Sequence, residues 1–392
     1  MNNQRGGQTK KLTVGVIFGG KSVEHDVSII SAQIVMEGLR ESGKYEIAPI
    51  YITKKGNWIC DKKLQTLKAF EKLKLKESFI SKKEKIYELL DSSLDQLVIL
   101  KERRGLFVRK ILQKIDVAFP VMHGTFGEDG SLQGFLEMLQ VPYVGCGVLA
   151  SSLAMDKVIT KTVFQANDIP IVKYLWLLKR DWQKDPEKIY QKIEKELKYP
   201  IFVKPANLGS SIGISKVMDR KQLSFAFEVA AQYDAKIIAE EGIVNLMEIN
   251  CAVLGNESPV ASVLEQPISY KEFLTFDEKY LNKGGTMKGI KSKVKIPAPL
   301  PEEKRKKIQE LAIKVFKVLN CTGIARIDFL VDQDTEKVYV NEVNPMPGTL
   351  QQHLWKASGI ELPKLVDHLI NLALERHKER SSLFYTFDSN IA

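Results

Sequence analysis

The stretch GIARIDFLVDQDTEKVYVNEVN carries two carboxylates and a carboxamide at a spacing that could hold a hard cation. Two strand-like runs flank a polar turn near Asp334 and Thr335. A hairpin centred on Thr335 sets Asp328 and Glu342 opposite one another. Arg326 then shares a face with Asp328, and Asn344 with Glu342, because strand side chains repeat every second residue. Two facing carboxylates repel, and a divalent cation between them removes the repulsion. An all-oxygen set of Asp, Glu and Asn suits magnesium, whose other ligands are commonly water and nucleotide phosphate. The bland alternative is a solvated hairpin face with a chance charge pair. Against it, Ile327, Phe329 and Val343 are apolar and point to the core.

VKPANLGSSIGISKV is the second chemical feature. Lys204 ends an apolar strand, and a Gly/Ser loop leads into another strand. Glycines let backbone N–H groups approach phosphate oxygens, and a lysine adds a point charge. A plain hairpin loop has the same composition, and the spacing alone does not choose between them. Gly15–Ser22 reads GVIFGGKS and formally fits GxxxxGKS. A phosphate loop must follow its strand, whereas Val16, Ile17 and Phe18 continue one, so the match is accidental. The two glycines before a helix still suit an anion or a substrate. His123 sits where a buried strand gives way to a Gly-rich loop, the place ligands favour in parallel sheets. No Ser-His-Asp or Cys-His arrangement follows from the spacing.

These residues need a scaffold. KLTVGVIFGG, YEIAPIYIT and KIDVAFPVMHG read as buried strands alternating with the helices VSIISAQIVMEGLRESG and SLQGFLEMLQ, which predicts a parallel sheet over residues 11–145. A second block, 146–235, opens on the helix ASSLAMDKVITKTVFQANDI. The third, 236–380, is rich in strands, with helices at EEKRKKIQELAIKVFKVLN and LPKLVDHLINLALERH. The plan is α/β and α+β: three units with a cleft between them. The length of 392 residues agrees with two or three domains, and 44% hydrophobic with 27% charged residues excludes whole-chain disorder. The start lacks a signal peptide's apolar stretch and no run is long enough for a membrane helix, so a cytoplasmic protein is expected. Four scattered cysteines give no disulfide framework or zinc site.

The net charge of +10 is uneven. Residues 61–114 hold 15 Lys and Arg against 8 Asp and Glu, so +7 of it lies in this basic insert. KKLQTLKAFEKLKLKESFISKKEKIYELL suggests amphipathic helices with a solvated basic face. Contact with RNA is the minority reading, and no nucleic-acid or membrane partner is expected.

GGKSVEHDVSI, HGTFGEDGSLQG, VPYVGCG with ASSLAMDK, YPIFVKPANLGSSIGISKV, FDEKY, KIPAPL, RIDFLV and NEVNPMPG together resemble the ordered motif series of D-alanine-D-alanine ligases. These are enzymes of the ATP-grasp fold, and the likeness runs from about residue 11 to residue 380. It implies that ATP phosphorylates one D-alanine and that a second attacks the acyl phosphate, making a cell-wall precursor. It also implies roles for individual residues. Glu24 holds the first ammonium, and His123 sits by the first carboxylate and the acyl phosphate. Lys157, Lys204 and the loop residues Ser210 and Ser211 meet the ATP phosphates. Glu240 and the backbone beside Glu241 meet adenine, and Glu248 the ribose. Lys279 lies on a lid, FLTFDEKYLNKGGTMKGIKSKVKIPAPL, that excludes water. Glu24, Ser210 and Tyr280 form a hydrogen-bonded trio that closes the site. Arg326 steadies the transferring phosphoryl group, and Asp328, Glu342 and Asn344 hold two Mg2+, with Mn2+ as a substitute. A homodimer is implied too.

Two residues depart from the family's pattern. His353, in NPMPGTLQQHLW, takes the place of a serine that contacts the second substrate's carboxylate. D-lactate or D-serine as acceptor is therefore the alternative, although Tyr280 is typical of dipeptide-forming members. Glu241 stands where a lysine often sits. A nucleotide- or RNA-binding protein without ligase activity is the remote alternative.

Overall fold

In a computed structural model of the chain, residues 11–68, 70, 86–89, 97–102, 109–268 and 293–386 are described. The first unit is built on β1 (Leu12–Gly19), α1 (His25–Ser42), β2 (Tyr45–Ile52) and β3 (Trp58–Cys60). Next come β4 (Ile86–Leu89), β5 (Leu97–Glu102), β6 (Arg109–Ile115), β7 (Val117–Pro120) and α2 (Ser131–Met138). The sheet order is β3-β2-β1-β7, with β1 parallel to both neighbours and β3 antiparallel at the edge. The unbroken apolar run of β1 is that of a strand covered on both faces. Val14, Val16 and Phe18 face α1 and the C-terminal helix α10 described below. Ile17 joins Ala48, Ala118 and, on α2, Leu132 and Leu136 on the other side.

The basic insert is not simply helical. Ile86–Leu89, read from periodicity as the end of an amphipathic helix, is instead a strand of the antiparallel sheet β4-β5-β6. Its partner β5 lies beyond it in the chain, and local periodicity carries no information about such a partner.

The second unit follows α3 (Val148–Met155) and α4 (Lys157–Ala166). It comprises β8 (Tyr174–Leu178), α5 (Lys179–Lys184), α6 (Pro186–Glu196), β9 (Ile201–Pro205), β10 (Ser215–Val217), α7 (Leu223–Ala230) and β11 (Lys236–Glu241). The sheet order is β10-β9-β11-β8, antiparallel throughout. Its core sets Ile201, Val203 and Ile237 against Ile193 of α6 and Leu223 and Phe227 of α7. Because β11 pairs with both β8 and β9, this sheet runs past the expected boundary at residue 235.

The third unit contains β12 (Leu246–Gly255), β13 (Val260–Ala261), β14 (Gln266–Ile268), β15 (Lys293–Lys295), α8 (Glu302–Val318), β16 (Gly323–Asp332) and β17 (Val338–Asn344). Two helices close the chain, α9 (Gln352–Ala357) and α10 (Leu362–Ser381). The sheet β13-β12-β16-β17 is antiparallel. Along β16, Ile327, Phe329 and Val331 are buried and alternate with Arg326, Asp328 and Leu330, which are less covered. The apolar set packs with Phe316 of α8 and with Ala150 and Phe164 of α3 and α4. The opposite face is therefore left for chemistry. No described helix is long and apolar enough to cross a membrane.

Candidate functional site

The antiparallel ladders assemble a polar row across the third sheet. Glu265 bridges to Asn250, Asn250 pairs with Asp328, and Asp328 pairs with Glu342. In the next row, Ala252 lies beside Arg326, and Arg326 beside Asn344. The facing pair Asp328–Glu342 expected from the hairpin count is present. A bulge brings it about: from Phe329 onward the pairing shifts by one residue, leaving Asn341 as the extra residue on β17.

Charge is matched along this row. Arg326 donates Nε and Nη2 to Asp328 at 2.6 and 2.7 Å, a two-pronged ion pair. Asn344 Nδ2 donates to the same carboxylate at 3.1 Å. Lys157 Nζ lies 3.6 Å from Glu342. At the other end, His353 Nε2 is 2.6 Å from Glu265 Oε2, while Asn250 donates to Glu265 Oε1 at 3.0 Å. Burial resists ionisation of Glu265, but His353 and Asn250 outweigh it and hold the carboxyl below its ordinary range.

A cavity of about 800 Å³ opens over the row. Lys157, Lys204, Ser211, Glu240, Glu241, Glu248, Arg326, Asp328, Glu342 and His353 all line it. Lys157 is the first residue of α4, whose start Asp156 caps by accepting from Val158 and Ile159 N–H. Its ammonium donates to Leu208 O at 2.7 Å. Lys204, near the end of β9, meets Glu240 at 2.7 Å. Glu240, expected at an adenine, has its carboxylate between Lys204 and Lys161. The Glu241 carboxylate is also engaged, accepting from Lys198 N–H at 3.0 Å.

Glu24 and His123 stand outside this lining, on the first unit, and are tied to the other units. Ser210 donates to Glu24 across the units through a loop where Ser210 and Ser211 take left-handed φ of 54° and 58°. Gly209 allows the approach, since a Cβ there would meet Glu24 Oε2 at 3.3 Å. Gly124 is tighter: its φ is +72°, and a Cβ would lie 2.6 Å from both Glu24 Oε2 and Ser22 Oγ. His123 is buried, with Nε2 2.9 Å from Ser31 Oγ, which also accepts from Thr349 N–H at 3.2 Å. Burial, with a smaller contribution from Arg326, pushes His123 down to about 4, against a backbone hydrogen bond at Met346. Its imidazole is therefore neutral near pH 7 and works as a hydrogen-bonding group. Lys279 and Tyr280, with the expected lid, lie outside the described residues. The Gly15–Ser22 match to a phosphate loop fails on geometry, because Gly15–Gly19 lies within strand β1.

Sequence reasoning missed Lys161, Glu128 and Glu265. Lys161 had a signal, since it follows Lys157 by four residues and so shares its helix face. Like charges there require a counter-ion, which is Glu240. Glu128 had none. Its Oε2 accepts from Gly124 N–H at 2.7 Å, next to the same glycine that Glu24 approaches. Desolvation and then the Glu24 charge push Glu128 up from 4.5 to about 8. An acid with a raised folded-state value is protonated in the fold while the unfolded chain has lost its proton. Stability is therefore lost as pH rises from about 4.5 to about 8 and then levels off. Glu128→Gln stays neutral, so it should be more stable than the parent at about pH 9, by roughly 1–2 kcal/mol, with the gain fading by about pH 4.5. Thermal melts at both values check this, and a variant less stable than the parent at the alkaline value contradicts it.

A family model described as D-ala D-ala ligase N-terminus matches residues 13–146, and one described as D-ala D-ala ligase C-terminus matches residues 163–371. The D-alanine–D-alanine ligase of Acetivibrio thermocellus is 41% identical over 380 residues, covering 94% of this chain and 97% of the relative. That of Geobacillus kaustophilus is 43% identical over 382 residues, covering 96% and 98%. Among solved structures, the D-alanine-D-alanine ligase from Coxiella burnetii superposes with a TM-score of 0.76 at 33% identity, covering 95% of this chain and 97% of that one. The VanG D-Ala:D-Ser ligase from Enterococcus faecalis gives 0.76 at 32% identity, covering 93% and 100%.

Proposed function

The chain belongs to the D-alanine-D-alanine ligase family of the ATP-grasp fold, and from that premise we propose how its own residues carry out the ligation. The enzyme is an ATP-dependent carboxylate-amine ligase that joins two D-alanines for peptidoglycan synthesis. The observation that carries the reading is the charged row Asp328–Glu342, with Arg326, Lys157 and Lys204 around one cavity.

Glu24 receives the ammonium of the first D-alanine, and the Ser210 hydroxyl fixes that carboxylate. Neutral His123, tied to Ser31, lies by the substrate carboxylate without adding charge. A carboxylate oxygen of D-alanine attacks the γ-phosphorus, and ADP leaves. Lys157, Lys204 and Arg326 receive the charge that builds on the transferring phosphoryl group, with Arg326 held in place beforehand by its fork to Asp328. The second amine then attacks the acyl carbon, and phosphate departs with the original carboxylate oxygen. Adenine is met by the backbone beside Glu241, since the Glu240 side chain is engaged elsewhere, and Glu248 takes the ribose hydroxyls.

Asp328, Glu342 and Asn344 form an all-oxygen donor set on one face of two paired strands, which fits Mg2+. When bound, the ion neutralises phosphate charge. Lys279 and Tyr280 keep their expected roles as part of this proposal, as do assembly as a homodimer and residence in the cytoplasm, where ATP is available.

His353, held by Glu265, is assigned to the acceptor's carboxylate. The test is phosphate release from Mg-ATP with D-alanine alone, and then with D-serine or D-lactate added, reading products by mass. D-alanine alone should release phosphate and give the dipeptide. Release only with an added acceptor would assign the enzyme to another acceptor and keep the first half-reaction.

A further inference from the structure

Lys161 is a cation with no contact to solvent: its relative exposure is 0%. Glu240 Oε1 lies 3.2 Å from its ammonium and the Tyr174 ring centroid 5.7 Å away, while the like charges of Lys204 and Lys157 also act on it. Glu240 is itself buried, and its other oxygen is 2.7 Å from Lys204. One carboxylate thus serves two lysines, of which Lys204 borders the cavity and Lys161 does not. Burial resists ionisation of Glu240, yet the two lysines outweigh it and hold the carboxyl down at about 2. Burial also lowers Lys161, with Glu240 opposing.

We propose that Lys161 is a positioning residue whose charge lets Glu240 release Lys204 to the nucleotide phosphates. The idea rests on the phosphate role of Lys204 given above. Moving Lys204 onto phosphate would strip a buried carboxylate of its partner, which is costly when nothing replaces it. Lys161 remains in place on the opposite oxygen, so Glu240 stays compensated throughout. Without Lys161, Glu240 has one partner and holds Lys204 back from the cavity. The lysine pair and shared acid therefore act as a charge exchange, with Lys161 the fixed half and Lys204 the movable half.

Equilibrium binding of Mg-ATP to purified full-length variants tests this, with D-alanine affinity and thermal melts alongside. Lys161→Met should weaken ATP by about tenfold or more, with little change for D-alanine. Adding Glu240→Gln to it removes the acid that captures Lys204 and should restore ATP affinity to within about threefold of the parent. The double variant removes the buried carboxylate that Lys161→Met leaves short of a partner, and Lys204, which loses Glu240 in it, borders the cavity, so a double variant that folds answers the question even if Lys161→Met alone does not. A double variant that folds and binds ATP as weakly as Lys204→Met overturns the inference, as does a folded Lys161→Met with parental affinity. Lys204→Met separates the two levels: if it binds ATP like the parent, the phosphate role of Lys204 fails and this inference with it. If it binds weakly while Lys161→Met does not, the inference alone fails.

Discussion

Glu342→Gln should lower kcat by about 10²–10³-fold while leaving the melting temperature close to that of the parent. The substitution keeps shape and removes one charge from the row proposed to meet the cation and the phosphates. Asp328 retains its fork from Arg326, so the strand pairing that carries both residues has no reason to change. Lys157 loses its 3.6 Å partner but keeps its hydrogen bond to Leu208 O. The loss therefore falls on cation binding and on phosphoryl transfer. A magnesium titration should shift to higher concentration, with D-alanine affinity little affected. Retained turnover with an unchanged magnesium requirement would remove Glu342 from the metal set.

Arg326→Met should cost more, about 10³-fold or beyond in kcat, the scale on which an arginine acts at a transferring phosphoryl group. Arg326 shares its fork with Asp328 and points from the same face as the row, so its charge is held in place before substrate arrives. Arg326→Lys should recover only part of the loss, because an ammonium cannot present two parallel donors. Truncation leaves Asp328 with Asn344 and without its cation, so melts of both variants are needed to separate folding from chemistry. Parental kcat in a folded Arg326→Lys would contradict the assignment of a two-pronged contact.

The hairpin illustrates how far residues alone reach. Counting outward from Thr335 pairs Asp328 with Glu342, and the strands do pair them. Yet the pairs nearest the turn, such as Val331 with Val338, are offset from that symmetry by one residue. Asp332 accepts from the N–H groups of Asp334 and Thr335 and pulls the turn off centre, and the bulge at Asn341 restores the register. Alternation of apolar and polar residues told which face is buried and which is polar, but not the route by which the register is reached. The parallel sheet was readable because its strands are buried on both faces and its helices alternate with them. β11 was not, since a strand's partner is set by non-local pairing and Lys236–Glu241 fits either sheet by composition. Glu128 stayed hidden for a related reason, and so did the partner of Lys161, whose spacing from Lys157 marked only a shared helix face. The chemistry of Lys161 and Glu128 comes from Glu240 and Glu24, residues distant in sequence that only the fold brings close.

The most direct test of the central claim uses D-alanine whose carboxylate oxygens are isotopically labelled, incubated with Mg-ATP and the enzyme. The account predicts one labelled oxygen in each phosphate released, in step with formation of D-alanyl-D-alanine, because that oxygen forms the bond to phosphorus and leaves with it. Unlabelled phosphate, or ATP turnover that does not depend on D-alanine, would contradict an acyl-phosphate ligase at this site.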